Sequence, residues 1–258
     1  MLILAGSVGL TGAADLAARA ALRAGAGLVF LGVPDKTWAV LASKTDEAIV
    51  FPLPCDKEGR LTTTALPEIR SRLQRADAVL LGPGLGRSEE LTELTEQIVG
   101  SCSVPLVLDA DGLYAASRRQ DTFWKKAACP MILTPHDGEF ARLSDALTRL
   151  PRSDAALELA ERTNAVVLLK GHRTRIAAPD GRRIVNRTGN PGMATGGSGD
   201  ALAGIIVSLL GQGLTPFDAA ACGAWLHGAA GDLAAAQLKS EYALLPSDLI
   251  RTLPQLLP

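Results

Sequence analysis

Residues 190–200 read Asn190-Pro191-Gly192-Met193-Ala194-Thr195-Gly196-Gly197-Ser198-Gly199-Asp200 and run directly into the apolar segment Ala201-Leu202-Ala203-Gly204-Ile205-Ile206-Val207-Ser208-Leu209-Leu210. Glycines crowd in front of what reads as a buried helix with one acid, Asp200, in its first turn. Without Cβ atoms in the way, backbone N–H groups converge on one spot, and a helix start adds a field that favours anions. The expected ligand is a phosphate. A carboxylate in this position is a favourable first-turn acid on the plainer reading. Next to an anion cradle it is also a base facing the donors that hold a transferring phosphoryl group, which is the minimal apparatus for phosphoryl transfer. The catalytic reading of Asp200 is preferred.

Working outward, Leu2-Ile3-Leu4-Ala5 is a strand leading into a glycine loop, Gly6 to Gly12, where Thr11 is expected to cap a helix from Ala13 to about Ala24, ended by Gly25. Leu28 to Val33 is again strand-like, so a parallel βαβ unit opens the chain. Short buried runs follow at Ala78–Leu81, Pro105–Leu108, Met131–Thr134 and Ala165–Leu169, separated by helix-compatible segments. Uniformly apolar strands alternating with helices predict a mainly parallel sheet covered on both faces. Arg173 to Ala178 and Arg182 to Val185, joined around Pro179-Asp180-Gly181, predict a hairpin, and Pro216 to about Leu238 predicts a long helix after the Asp200 helix. No repeat or linker interrupts residues 1–258, which are expected to form one domain.

Composition narrows the function classes. Hydrophobic residues make up 47% and charged residues 21%, as in folded domains, and 26 basic against 27 acidic side chains leave a net charge of −1. A nucleic-acid surface or polybasic membrane patch is not expected. The cysteines Cys55, Cys102, Cys129 and Cys222 form no C-x-x-C pair and are expected to be reduced. No apolar run reaches the ~18–20 residues of a membrane span, and the N-terminus lacks a basic signal region. A cytoplasmic location is the expectation.

Ligands of open parallel sheets lie at the carboxyl ends of the strands. There the sequence places Gly82-Pro83-Gly84-Leu85-Gly86, Asp109-Ala110-Asp111, Thr134-Pro135-His136-Asp137-Gly138-Glu139 and Lys170-Gly171-His172-Arg173-Thr174. Each has a plain reading: a tight turn for Gly82–Gly86, solvated acids for Asp109 and Asp111, a turn histidine for His136, loop support or capping for Glu139. The two acids could alternatively hold Mg2+, and Lys170 at the end of an apolar strand makes sense mainly if an anion arrives. His172 is expected to be exposed and His227 to be helix packing. No Walker-type, dinucleotide, nucleophile-elbow or zinc-protease motif is present.

The series Gly6-Ser7 with Thr11-Gly12-Ala13-Ala14, Gly82 to Gly86, Leu108 to Asp111, Leu133 to His136 with Glu139-Phe140, Lys170-Gly171 with Thr174, and Gly189 to Ala194 with Gly196 to Asp200 resembles the ADP/ATP-dependent NAD(P)H-hydrate dehydratase family, the carboxy-terminal domain of bifunctional YjeF-type repair proteins. The motifs span nearly the whole chain in the family's order. The resemblance implies a ribokinase-like fold, with a sheet of about eight or more strands between helices. It implies repair of (6S)-NADHX and (6S)-NADPHX to NADH and NADPH, with cleavage of ADP to AMP and phosphate, or of ATP.

On this resemblance Asp200 is the base at the hydrate's C6 hydroxyl, with Gly197, Ser198 and Gly199 completing the catalytic loop and Gly196 and Gly199 also touching nucleotide. Ala14, Gly86, His136 and Asp200 match substrate positions. Lys170, Gly171, His172, Arg173, Thr174 and Asn190 match nucleotide positions. Mg2+ is expected to bridge phosphates, with no protein ligands assigned. Ser198 stands where threonine is usual and Leu10 where tyrosine is frequent. The chain begins within its first strand and carries no epimerase domain, so a separate epimerase, or spontaneous interconversion, would supply the (6S) form. A tetramer or other homo-oligomer is implied. Two rivals are a ribokinase-like kinase of a vitamin alcohol, such as a hydroxyethylthiazole or pyridoxal kinase, and a nucleotide-binding protein without catalysis.

Overall fold

Runs of leucine, isoleucine and valine too short for a buried helix make the strands, and longer segments with one apolar face make the helices. The computed structural model describes residues 1–257. It begins β1 (Leu2–Leu4), α1 (Thr11–Arg23), β2 (Phe30–Pro34), α2 (Asp35–Ala42) and β3 (Ile49–Leu53). Next come α3 (Leu66–Leu73), β4 (Val79–Leu81), α4 (Glu89–Ser101), β5 (Leu106–Leu108), α5 (Asp111–Arg119) and α6 (Asp121–Lys126). The second half holds β6 (Met131–Leu133), α7 (Asp137–Leu143), α8 (Arg152–Thr163), β7 (Val166–Leu169), β8 (Arg175–Ala177) and β9 (Arg183–Val185). It closes with α9 (Ser198–Gly211), α10 (Pro216–Leu238) and α11 (Pro246–Thr252).

All nine strands form one sheet in the order β3-β2-β1-β4-β5-β6-β7-β8-β9, parallel through β7 and antiparallel in the last two pairings. This is the expected α/β architecture. Side-chain alternation along each strand feeds two cores. Ile3, Leu80, Val107, Ile132 and Val166 stand in register and pack beneath α1, α9, α10 and α11. Leu4, Leu81, Leu108, Leu133 and Val167 form the next row and face α3, α4, α5 and α8 on the other side. A sheet covered on both faces is why these strands read as unbroken apolar runs.

One helix contact fixes the site. α1 is lined by Ala14, Ala17, Ala18, Ala20 and Ala21, all fully buried, and α9 lies directly against it. At Gly204 a Cβ would fall 2.2 Å from the Ala17 carbonyl oxygen, so only glycine lets the backbones come this close. The start of α9 is thereby set against α1, with Gly197 close to Leu16.

Two local expectations change. Thr11 is the first helical residue and Leu10 occupies the cap, with no side-chain cap bond, because the turn Leu10 N–H to Ser7 carbonyl already closes the loop. The edge strand β3 went unpredicted, since Pro52 interrupts its apolar pattern; at an edge the missing N–H need leave no ladder bond unmade.

Candidate active site

The carboxyl ends of β1, β4, β5, β6 and β7 lie side by side, and their exits are stitched to one another beyond the strands themselves. Gly82 N–H donates to the Leu4 carbonyl (3.2 Å), Asp109 to Leu81 (3.1 Å), Thr134 to Leu108 (3.3 Å) and Lys170 to Pro135 (2.8 Å). Ser7 Oγ donates to the Gly84 carbonyl at 2.8 Å, tying the first glycine loop to the second. Gly82, at φ +137°, has no room for a side chain, because a Cβ would sit 1.8 Å from the Asp109 carbonyl oxygen. The four segments singled out at strand ends therefore form one ledge.

Over this ledge comes the loop 190–197 and the N-terminus of α9. Ser198 N–H turns back to the Thr195 carbonyl (3.3 Å) and Ala201 N–H to Gly197 (3.1 Å). Among the described residues nothing in the fold accepts from the N–H groups of Gly196, Gly197, Gly199 and Asp200. These unpaired donors at a 14-residue helix start are what an anion requires. The buried Ser198 hydroxyl instead lies 3.3 Å from His227 Nε2, which also stands 2.9 Å from the Ser198 carbonyl. That carbonyl can only accept, so Nε2 carries the proton. Desolvation in the packed interior pushes His227 down to about 4, leaving it a neutral donor that anchors the loop from α10.

A charged cluster sits beneath the loop. Lys170 Nζ donates to Asp109 Oδ1 at 2.8 Å, lies 3.6 Å from Glu139 Oε2, and is 3.4 Å from where a Cβ of Gly199 would be. Thr134 Oγ1 donates to the same Asp109 oxygen at 2.7 Å. Burial alone would lower the Lys170 ammonium; Asp109, Glu139 and Asp200 more than reverse this and raise it. Burial also acts on Asp200, joined by Asp109, Asp111 and Glu139 and opposed by Lys170, and its carboxyl is pushed up to about 7. A carboxylate poised near neutrality beside unpaired N–H donors and a fixed cation suits general base catalysis.

The other candidates are placed as follows. Gly86 lies on the ledge and its N–H donates to Asp111 Oδ2 (2.9 Å), while Arg87 Nε donates to Oδ1 (3.0 Å). His136 caps α7: its Nδ1 accepts from Gly138 and Glu139 N–H, its N–H donates to Glu139 Oε2 at 2.9 Å, and Nε2 stands 3.4 Å from Glu139 Oε1. Nδ1 is thus committed locally, while the ring is 54% exposed and offers a face for stacking. Ala14 is fully buried beneath Gly6 and presents no surface to a ligand; its half-buried neighbour Ala13 is the alanine that packs against Gly84. Gly171, His172 and Arg173 are exposed and Thr174 half-buried along the exit of β7. Asn190 accepts from Gly192 N–H and donates to Asp232 Oδ1 at 3.0 Å, so its side chain shapes the loop.

Arg152 and Asp232 escaped the sequence reading, and His227, expected only to pack its helix, does more. Arg152, at the start of α8, donates to the Lys170 carbonyl (2.8 Å) and pairs with Asp137, and so clasps the His136 loop to the Lys170 segment. His227 and Asp232 reach the loop from α10. Their partners lie 15 to 43 residues away in sequence, so no local pattern marks them.

Asp109 and Asp111 do not form a ready metal site, since the first is held by Lys170 and Thr134 and the second by Gly86 and Arg87. Among the described residues no group of three or more His, Cys, Asp or Glu side chains is arranged to hold a metal ion, and no helix is long and apolar enough to cross a membrane.

The profile of the NAD(P)H-hydrate dehydratase family matches residues 1–255. The chain is 46% identical over 260 residues to a bifunctional NAD(P)H-hydrate repair enzyme of Moorella thermoacetica, an alignment covering 100% of this chain and 49% of that one. It thus spans about half the length of the first curated relatives it matches. An ADP-dependent (S)-NAD(P)H-hydrate dehydratase of Neisseria meningitidis is 40% identical, with 90% of this chain and 75% of that one aligned. In structure it resembles the ADP/ATP-dependent NAD(P)H-hydrate dehydratase of Bacillus subtilis, co-crystallised with ATP/Mg2+ and soaked with CoA, at a TM-score of 0.82 and 31% identity over 98% of this chain and 89% of that one.

Proposed function

Because the chain belongs to the NAD(P)H-hydrate dehydratase family, we propose that it dehydrates (6S)-NADHX and (6S)-NADPHX to NADH and NADPH at the expense of a nucleotide phosphoanhydride. The observation that carries this reading is Asp200, near neutrality, beside the unpaired N–H groups of Gly196, Gly197 and Gly199. Asp200 takes the proton of the C6 hydroxyl, whose oxygen attacks the terminal phosphorus of ADP. The bond to the AMP oxygen breaks while the loop N–H groups hold the phosphoryl oxygens. The ring nitrogen lone pair then expels phosphate from C6, and loss of a C5 proton restores the dihydropyridine. Phosphorylation thereby turns a poor leaving group into a good one.

In this proposal Lys170 supplies the fixed positive charge next to Gly199, and the segment Lys170–Thr174 carries the nucleotide. Gly86, Ala13 rather than the buried Ala14, and the exposed face of His136 border the hydrated nicotinamide. Mg2+ is proposed to arrive with the nucleotide, coordinated chiefly by phosphate and water, as that ion commonly is; the committed carboxylates of Asp109 and Asp111 suit this better than a protein-built cage. ADP is the expected donor and ATP the alternative. An epimerase activity is the proposed functional partner, the cytoplasm the proposed location and a homo-oligomer the proposed assembly.

The test is absorbance at 340 nm, following recovery of NADH from purified NADHX with Mg2+ and either ADP or ATP. Nucleotide-dependent recovery supports repair and identifies the donor. Absence of recovery with both, from protein that binds nucleotide, favours a kinase of a vitamin-type alcohol, which would need only the first half of the chemistry.

A further inference from the structure

At the Lys170–Thr174 segment the protein has two adjoining clefts that share Arg187. The first, of about 350 Å3, is lined by His172, Arg173, Arg187, Thr188 and Gly189. The second, of about 490 Å3, lies between the start of α8 and the β8–β9 hairpin and includes Ser153, Arg175, Arg183 and again Arg187. Among the described residues no acidic side chain lines either one. Arg183 is partly neutralised by Asp154 at 2.9 Å. Arg175 spends its guanidinium on Ser153 Oγ and the Arg173 carbonyl, neither of which carries charge. Among the described residues no carboxylate pairs with Arg173, Arg175 or Arg187. Arg173 adopts φ +55°, a left-handed conformation that is unfavourable for a branched-free but bulky side chain, at a point where the chain enters the first cleft.

In a chain of net charge −1, this is a concentration of unpaired cations on the wall shared by two cavities. We infer that Arg187, with Arg173 and Arg175, forms an anion site that holds a phosphate group additional to the one at the glycine loop, carried by the same nucleotide. The inference rests on the reading that the nucleotide lies along Lys170–Thr174. The order of groups supports it: the Gly199 loop touches Lys170, the first cleft opens at His172 and Arg173, and Arg187 leads into the second. A nucleotide anchored by its transferring phosphate at Gly199 would reach the arginines with a second phosphate on its ribose or with a longer 5′ chain. Guanidinium groups are well matched to either.

Binding of AMP, adenosine 3′,5′-bisphosphate, ATP and inorganic tripolyphosphate to the wild-type protein and to Arg187→Glu, by titration calorimetry, tests this. Arg187 is exposed and unpaired, so the variant is expected to fold; Arg187→Gln is a milder second variant. Tripolyphosphate should lose about tenfold or more in affinity in Arg187→Glu, on the order of one charge-assisted contact. AMP should be nearly unaffected. A gain of the bisphosphate over AMP that vanishes in the variant assigns the extra phosphate to the ribose, and the same pattern confined to ATP assigns it to the 5′ chain. Tripolyphosphate affinity unchanged in both variants overturns the site, as does the lack of any Arg187-dependent gain from an extra phosphate when AMP itself binds. If AMP does not bind while tripolyphosphate still depends on Arg187, the anion site stands and the nucleotide assignment falls.

Discussion

Replacing Asp200 with asparagine keeps the shape of the side chain and removes a charge the site disfavours. Burial, then Asp109, with Asp111 and Glu139, raise the carboxyl against the pull of Lys170, from its ordinary 3.8 to about 7. Between those values the folded protein holds a proton that the unfolded chain has released. Stability therefore falls as pH rises through this window and levels off above about pH 7. A tenfold change in proton affinity corresponds to 1.36 kcal/mol, which makes the full loss about 4 kcal/mol, and screening of the half-exposed residue reduces it to roughly 2–4 kcal/mol. Asparagine carries no such penalty. Urea unfolding at pH 8 should find Asp200→Asn more stable than wild type by roughly 2–4 kcal/mol, with the gap closing towards pH 4, while turnover drops by roughly 10²–10⁴. A variant no more stable at pH 8 than at pH 4, relative to wild type, refutes the electrostatic account of the site. Near-wild-type turnover removes Asp200 from the chemistry.

The same ionisation should govern rate: turnover rises by about tenfold from pH 6 to pH 8, and Asp109→Asn moves that limb to lower pH by deleting the largest charge that holds the proton on Asp200. A limb that stays in place in the variant contradicts this. Arg152→Met, which unclasps Lys170 from Asp137, should raise the KM for ADP more than it lowers kcat, with partial rescue by lysine; an effect on kcat alone argues against the clasp. Gly82→Ala should destabilise the protein by roughly 2–5 kcal/mol, because its Cβ meets the Asp109 carbonyl, and a change below about 0.5 kcal/mol in denaturant melting would show that the exits are not interlocked.

The layered fold was legible because a doubly covered sheet writes its strands as apolar runs, and the ledge was legible because its residues directly follow those runs: Gly82, Asp109, Thr134 and Lys170 each stand one position past a strand. Asp200 was legible through the glycines before it. What stayed hidden depends on contacts between distant elements. Nothing around His227 signals that it reaches the Ser198 carbonyl, and Arg152 looks like any residue opening a helix. Ala14 and Ala13 are alike in sequence, and only the packing of α1 under Gly6 turns one inward and leaves the other at the loop.

The loop 196–200 also makes the protein its own occupancy gauge. Amide hydrogens at Gly82, Asp109, Thr134 and Lys170 are locked into neighbouring carbonyls, whereas those of Gly196, Gly197, Gly199 and Asp200 have no partner among the described residues. Deuterium from solvent should replace the second set within the earliest exchange times and the first set only on deep opening. A bound phosphoryl group would supply the missing acceptors and slow those amides, so arrival of the ligand registers as isotopic protection confined to one turn of backbone, even where no light-absorbing product is formed.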